Sequence, residues 1–360
     1  MTSEVFKEDW DRAESRMKAW WHGAIIDRPV VQVTAPKHPA KTPKFWNEWE
    51  LVNSLEQPER ALDKFETWCS DTFFGGEAFP YLWINLGPAI LAAFLDLGIE
   101  PKIAPDTVWI ERDEPIEWEP IIHGELNPEN YWWEKTLELT RLAADRGRSR
   151  YFTSITDLNS MLNNLGALRT TQQLLTDVIF YPDEIQAAAK NMAEFWTDCY
   201  DNLYAVTNTS MFGSITWLGL WAPGKGSDVQ CDFSAMISPD MFQQFVVPSL
   251  EQLTRHLEYS VYHWDGPGQI IHLEHLLELP DLDGIQWTPG AGEPGVGSEK
   301  WFPLYKRIQE GGKLLVLKWL DPRDLDAVME VLSPEGVLIH AACDTVDEAE
   351  FVLNRVTNWT

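Results

Sequence analysis

The sequence predicts an α/β protein, a (β/α)8 barrel with an N-terminal helical extension over residues 1–27, and three observations predict it. Apolar β-branched runs alternate with helical patterns at least five times in the C-terminal two-thirds, as repeated βα units do. The 360 residues accommodate eight such units, which need about 250 residues or more. The rival architecture, a doubly wound sheet, wants a Gly-rich phosphate turn after an early strand, and no GxGxxG stands there. The segment GAGEPGVG (290–297) does follow a strand, but Glu293 would repel a phosphate. It reads instead as a mobile loop over the barrel mouth. No linker divides the chain, so residues 1–360 are expected to form one domain.

Each element follows from local pattern. Residues 4–22 are an amphipathic helix ended by Gly23, and RPVVQVTAP (28–36) is the first strand. A Pro/Lys-rich loop (36–44) leads to a polar helix over about 55–70. Residues 72–98 read as a loop entering a buried helix, and 109–120 as an excursion hairpin or ordered loop. Helix 130–147 ends at the C′ glycine Gly147. Strand 151–157 precedes helices 168–178 and 182–206, the second opening on Pro182, Asp183 and Glu184. Then come strand 214–221, an extended piece at 229–237, and helix 239–256. Ser238 caps that helix, Pro239 fits its first turn, and Asp240 suits the positive end of its dipole. Strands 260–266, 283–290, 313–319 and 337–343 alternate with helices 268–279, 298–311, 322–332 and 345–357.

Composition narrows the partners. The chain has 56 Asp+Glu against 28 Lys+Arg, a net charge of −28. Nucleic acid and anionic membrane surfaces both need a basic footprint, so neither is expected as a partner. The start has no apolar core of a secretory signal, and no stretch reaches 18 uninterrupted apolar residues. The four cysteines, Cys69, Cys199, Cys231 and Cys343, form no CxxC pair, which suits a reduced cytoplasmic protein. The 19 tryptophans exceed what a core needs and suggest broad flat walls around a ligand.

In a barrel, functional groups sit where strands end at the C-terminal face. His263 and Asp265 lie two apart on a strand, so both point to one face, with Trp264 on the other. They suit two metal ligands, or a base and its orienting acid. Cys343 ends the last strand and would supply a third ligand at the common mouth. The competing reading is a His–Asp hydrogen bond stitching loop to strand, with Cys343 a buried thiol. Asp232, Asp157 and Glu77 are further candidate acids. His272 and His275, three apart on a helix, read as solvated rather than ligating. No GxSxG supports a serine nucleophile. Trp217, Trp221, Trp264, Trp287 and Trp319, with Gln286, are expected to wall a substrate pocket.

Several segments together resemble the uroporphyrinogen decarboxylase superfamily. They are ALRTTQQLLTDVIFYPDEI (167–185), SDVQCDFSAMISPDMFQQFVVPSLEQL (227–253), YHWDGPGQIIHLEHLLEL (262–279) with the strand after it, and AACDTVDEAEFVLNRV (341–356). The resemblance covers residues 130–360 best and implies a (β/α)8 barrel. Its zinc-dependent branch carries methyl groups from a corrinoid protein to a thiol, such as coenzyme M or homocysteine. The resemblance implies metal ligands at His263, Asp265 and Cys343, with Asp265 standing where the family has cysteine. Oxygen in place of sulfur makes a harder, less electron-rich site and weakens thiol activation. The decarboxylase branch fits worse, because its Arg-rich clamp is missing and only Arg28 lies near the first strand. The expectation is thus a methyltransferase-like barrel enzyme acting on a small molecule, with zinc and a corrinoid on a partner protein. A metal-free decarboxylase or lyase using a His263–Asp265 acid/base pair, and a non-catalytic ligand-binding barrel, are the alternatives. The sequence leaves a homodimer open.

Overall fold

The computed structural model describes residues 6–110, 112–207 and 213–359. Among these the strands are β1 (Val30–Pro36), β2 (Thr72–Gly76), β3 (Tyr81–Trp83), β4 (Lys102–Ala104), β5 (Thr107–Trp109), β6 (Phe152–Ser154), β7 (Ser214–Ile215), β8 (Trp221–Ala222), β9 (Gly226–Gln230), β10 (Tyr259–Asp265), β11 (Gly284–Thr288), β12 (Leu314–Leu317) and β13 (Val337–Ala342). A seven-stranded sheet runs β2-β1-β13-β12-β11-β10-β9, and every pair is parallel except β1 with β2. β3 and β6 form a separate parallel pair. The strand ladder is not closed among the described residues. β2 takes the edge of β1, and the β7–β8 hairpin lies between β6 and β9, where Ser154 Oγ donates to Ile215 O at 3.1 Å.

Alternation along the strands sorts side chains into two layers. Val31, Val33, Tyr262, Trp264, Ile285, Trp287, Leu315, Leu317, Ile339 and Ala341 face the surrounding helices. Val30, Val261, Leu314, Val316 and Leu338 face the other way and pack with the N-terminal helix, Trp10–Trp21. That helix buries Ala13, Arg16, Met17 and Trp20, an i, i+3, i+4, i+7 stripe. Trp20 Nε1 donates to Gly336 O (3.0 Å), just before β13, so the helix seals the end of the sheet where strands begin. Gly76 ends β2 with φ +62, and a Cβ there would lie 2.1 Å from Val31 O. Gly76→Ala is expected to cost more than about 1 kcal/mol, read from urea unfolding midpoints.

The βα alternation expected from the sequence is present from residue 131 onward, with most boundaries within a few residues. Four local readings are corrected. Residues 214–221 are a tight hairpin, not one strand, because Gly219 takes φ +76 between β7 and β8. The helix expected over 239–256 is two, Pro239–Phe245 and Val247–His256, with Pro248 in the first turn of the second. Residues 72–98 contain β2 and β3 before the short helix Ile90–Phe94. The 290–297 loop is tied down: Trp301 Nε1 donates to Pro294 O and Tyr305 Oη to Val296 O. Among the described residues, no helix is long and apolar enough to cross a membrane.

Candidate functional site

The face of the sheet that is apolar low down becomes polar toward the C-terminal strand ends. Gln230, His263 and Gln286 sit in register across β9, β10 and β11. Asp228 lies one step below on β9, opposite Val261. Strand parity carries the pattern on to Asp265, and the turn after β9 brings Asp232 beside it. Asp232, His263 and Asp265 each offer one ligand atom, and these atoms lie within 4.8 Å of one another. His263 is largely buried, whereas Asp232 opens to solvent on one side.

The neighbours fix this trio. Gln286 Nε2 donates to the Trp287 carbonyl (2.8 Å) and to Thr288 Oγ1 (2.9 Å), which turns its Oε1 toward His263 Nδ1. A carbonyl only accepts, so the amide orientation is determined, and Nδ1 of His263 must carry the proton. In the neutral ring Nε2 then keeps its lone pair for a ligand, the arrangement found behind most metal-binding histidines. The edge of Trp217 closes over the imidazole at 4.9 Å. Asn163 Nδ2 donates to Asp232 Oδ2 (2.8 Å), while Asn163 Oδ1 accepts from Phe233 N (3.0 Å). Desolvation, followed by the charge of Asp265, lifts the Asp232 carboxyl above its usual range; His263 and the Asn163 hydrogen bond oppose this. Gln286→Leu is expected to lower divalent-metal affinity about 10–100-fold without unfolding the protein, by equilibrium dialysis.

Deeper in the same layer lies a row of buried titratable groups. Burial pushes the Asp157 carboxyl up to about 7, aided by the charge of Asp232 and opposed by hydrogen bonds from Asn159 N–H and Gln230 Nε2. Asp228 is also raised to about 7 by burial, against a hydrogen bond from Leu218 N–H and the charge of Lys318. Burial lowers Lys318 to about 8, and its ammonium donates to Leu218 O. His340 is held well below its ordinary value, first by burial and then by the charge of Lys318. A raised carboxyl binds its proton more tightly in the folded chain. Stability from Asp157 is therefore full below about pH 4 and is lost as pH rises to about 7. Asp157→Asn is expected to flatten the fall in thermal midpoint between those pH values; an unchanged profile would refute the assignment.

The other residues singled out from the sequence are placed elsewhere. Cys343 is buried among the sheet–helix side chains and is a free thiol outside the trio. Glu77 is fully buried and holds Arg28 through two oxygens (2.7 and 2.8 Å), Arg16 (3.0 Å) and Val31 N (2.9 Å). It anchors the N-terminal helix rather than facing a cavity. Trp264 and Trp287 are fully buried on the helix side, and Trp221 packs at the sealed end beneath the N-terminal helix. Trp217 is half-buried against His263, and Trp319 alone of those five lines the cavity walled by Trp46, Trp49, Trp68 and Trp83. Gln286 touches His263 rather than open space. His272 Nε2 donates to Ser234 O (2.9 Å) and its ring stacks on Phe242, so it is packed, not solvated.

Sequence reasoning missed Asn163 and Asp228. No local motif marks either, since each acts through a partner about 70 or 10 residues away. It also missed the aromatic cluster FWNEW (45–49) and Trp83, although the density of rings in 45–49 was a visible signal.

No family model and no curated protein sequence matches the chain. Among solved structures, a methyltransferase from Methanosarcina mazei superposes with a TM-score of 0.57 over 96% of this chain and 98% of that one, at 13% identity. At that identity the likeness is one of fold.

Proposed function

We propose that the chain is a methyltransferase-like barrel enzyme whose reaction centres on Asp232, His263 and Asp265. The observation that carries this reading is the convergence of those three ligand atoms behind a Gln286-fixed imidazole. In this reading β1, β3, β6 and β9–β13 are the eight strands of the barrel. The donor set fits a divalent cation: one imidazole lone pair and two carboxylates, one of them raised first by desolvation and then by the other's charge. His263 Nε2, Asp232 and Asp265 would hold it. Bound there, it would supply Lewis acidity to stabilise an anionic acceptor. Two oxygens and one nitrogen make a harder site than thiolates do, so a harder acceptor than a thiol, or a hard ion such as Mn2+, suits it as well as zinc. The methyl group would be delivered from a corrinoid on a partner protein.

The chain's own groups do the rest. Gln286 orients the imidazole, Asn163 orients Asp232, and Trp217 covers one side of His263 and restricts water. Asp157, near neutrality, is suited to hold a proton beside the site. That last feature also favours a second reading, metal-free acid/base chemistry. The test is methylcobalamin with a thiol and, separately, with a phenol or amine acceptor, followed by loss of the methylcobalamin spectrum, with and without added Zn2+ or Mn2+. Metal-dependent demethylation supports methyl transfer. No reaction with either ion, and no stoichiometric metal after dialysis, would overturn it.

A further inference from the structure

A second cavity, of about 510 Å³, opens beside the trio at the same end of the sheet and is aromatic on most sides. Trp46 lies 6.3 Å from Trp68, which meets Phe74 edge-on at 5.7 Å. Phe79 meets Tyr81 at 6.0 Å on another wall. Trp83 stacks on Trp217 at 5.5 Å, so these two rings divide the cavity from His263. At the rim Trp319 stays 52% exposed. It holds φ +59, which a bulky residue adopts only when its surroundings impose it, and its N–H donates to His340 Nδ1.

The charges of the cavity do not balance. Lys44 is paired with Asp344 at 2.6 Å. The Lys318 ammonium is occupied by the Leu218 carbonyl and the charge of Asp228. Among the described residues, Glu48 has no hydrogen bond or ion pair. Glu48 stands at the solvent-exposed edge of the cavity, where the nearby protein still raises its pKa through desolvation and its charge reaches Tyr81. An uncompensated carboxylate among ring faces is the environment a weakly hydrated cation prefers, because the negative face of each ring attracts it without demanding a hydrogen bond. Trp83 Nε1 is buried without a partner and could donate to an oxygen elsewhere on the same ligand.

We propose that this cavity binds the methylated quaternary ammonium group of a small organic ligand, against Trp46, Trp49, Trp68 and Trp83, with Glu48 as its counter-charge. The inference does not rest on a metal at Asp232, His263 and Asp265 and stands if that reading fails. Isothermal titration of the full chain with choline and with its neutral isostere 3,3-dimethylbutan-1-ol separates charge from bulk. Choline is expected to bind at least about tenfold more tightly. Glu48→Gln is expected to remove most of that difference, leaving the isostere's affinity and the thermal midpoint unchanged. Equal affinities, no binding of either compound, or a choline affinity untouched by Glu48→Gln would overturn the proposal.

Discussion

His263→Ala is expected to lower divalent-metal affinity by more than about 100-fold, beyond the effect of removing a group that only orients a ligand. Asp232→Asn and Asp265→Asn should each do the same, because the three ligand atoms form one group. Cys343→Ser should change nothing, since that thiol lies in the layer between sheet and helices. Equilibrium dialysis with Zn2+ and Mn2+, read by elemental analysis, checks all four. Loss of metal from Cys343→Ser with retention in Asp232→Asn would restore the ligand set implied by the family resemblance and sink the one assigned from geometry. Retained secondary structure in the variants is expected, because Asp232 and Asp265 are open on one side.

Glu77→Ala is expected to cost about 3–5 kcal/mol of stability, the largest effect of a single side chain outside the apolar core. The loss comes from what remains: two nearly buried guanidinium groups, Arg28 and Arg16, deprived of the carboxylate between them. Arg16 keeps Asp27, whose carboxyl it holds far below the usual range, so Arg28 bears most of the penalty. A double variant, Glu77→Leu with Arg28→Leu, should be less unstable than Glu77→Ala alone, because it leaves no unpaired charge at that pair. Urea unfolding of the three proteins decides it. A cost under about 1 kcal/mol for Glu77→Ala would mean that water reaches the guanidinium groups.

The alternation of strands and helices was legible because it depends on local period, and so was the HxD pair, because strand parity puts His263 and Asp265 on one side. The same parity, applied strictly, would have corrected three other expectations. Trp264 is out of phase with His263, and Trp287 with Gln286, so both belong to the helix side. Cys343 is in phase with Ile339 and Ala341, not with His340. In the other direction, Asp232 continues the phase of Asp228 and Gln230 and joins the trio although the strand has ended. What parity could not supply was position around the sheet. The ring-lined cavity draws on residues 45–49, helix Pro58–Ser70, β3 and the end of β12, which meet only in three dimensions. Glu77 misled because a carboxylate in a Gly-rich turn looks free until the two arginines from residues 16 and 28 arrive.

The seal formed by the N-terminal helix also sets a timetable for folding. Trp21 donates to Trp221 O and Trp20 to Gly336 O, partners 200 and 316 residues further along the chain. That helix can dock early on Glu77 through Arg16 and on Phe79 through Trp10, but its seal over the strand-starting end stays incomplete until the last strands exist. Loop closure over such distances must precede the contacts that reward it, which slows folding. Until then Trp20 and Trp21 lack the carbonyls they donate to and part of their apolar surface stays uncovered, the condition in which chains of this size associate. Replacing Trp20 and Trp21 by Phe should accordingly remove a late phase of the tryptophan signal on refolding, one that tracks completion of β13 rather than formation of the helix that carries the two rings.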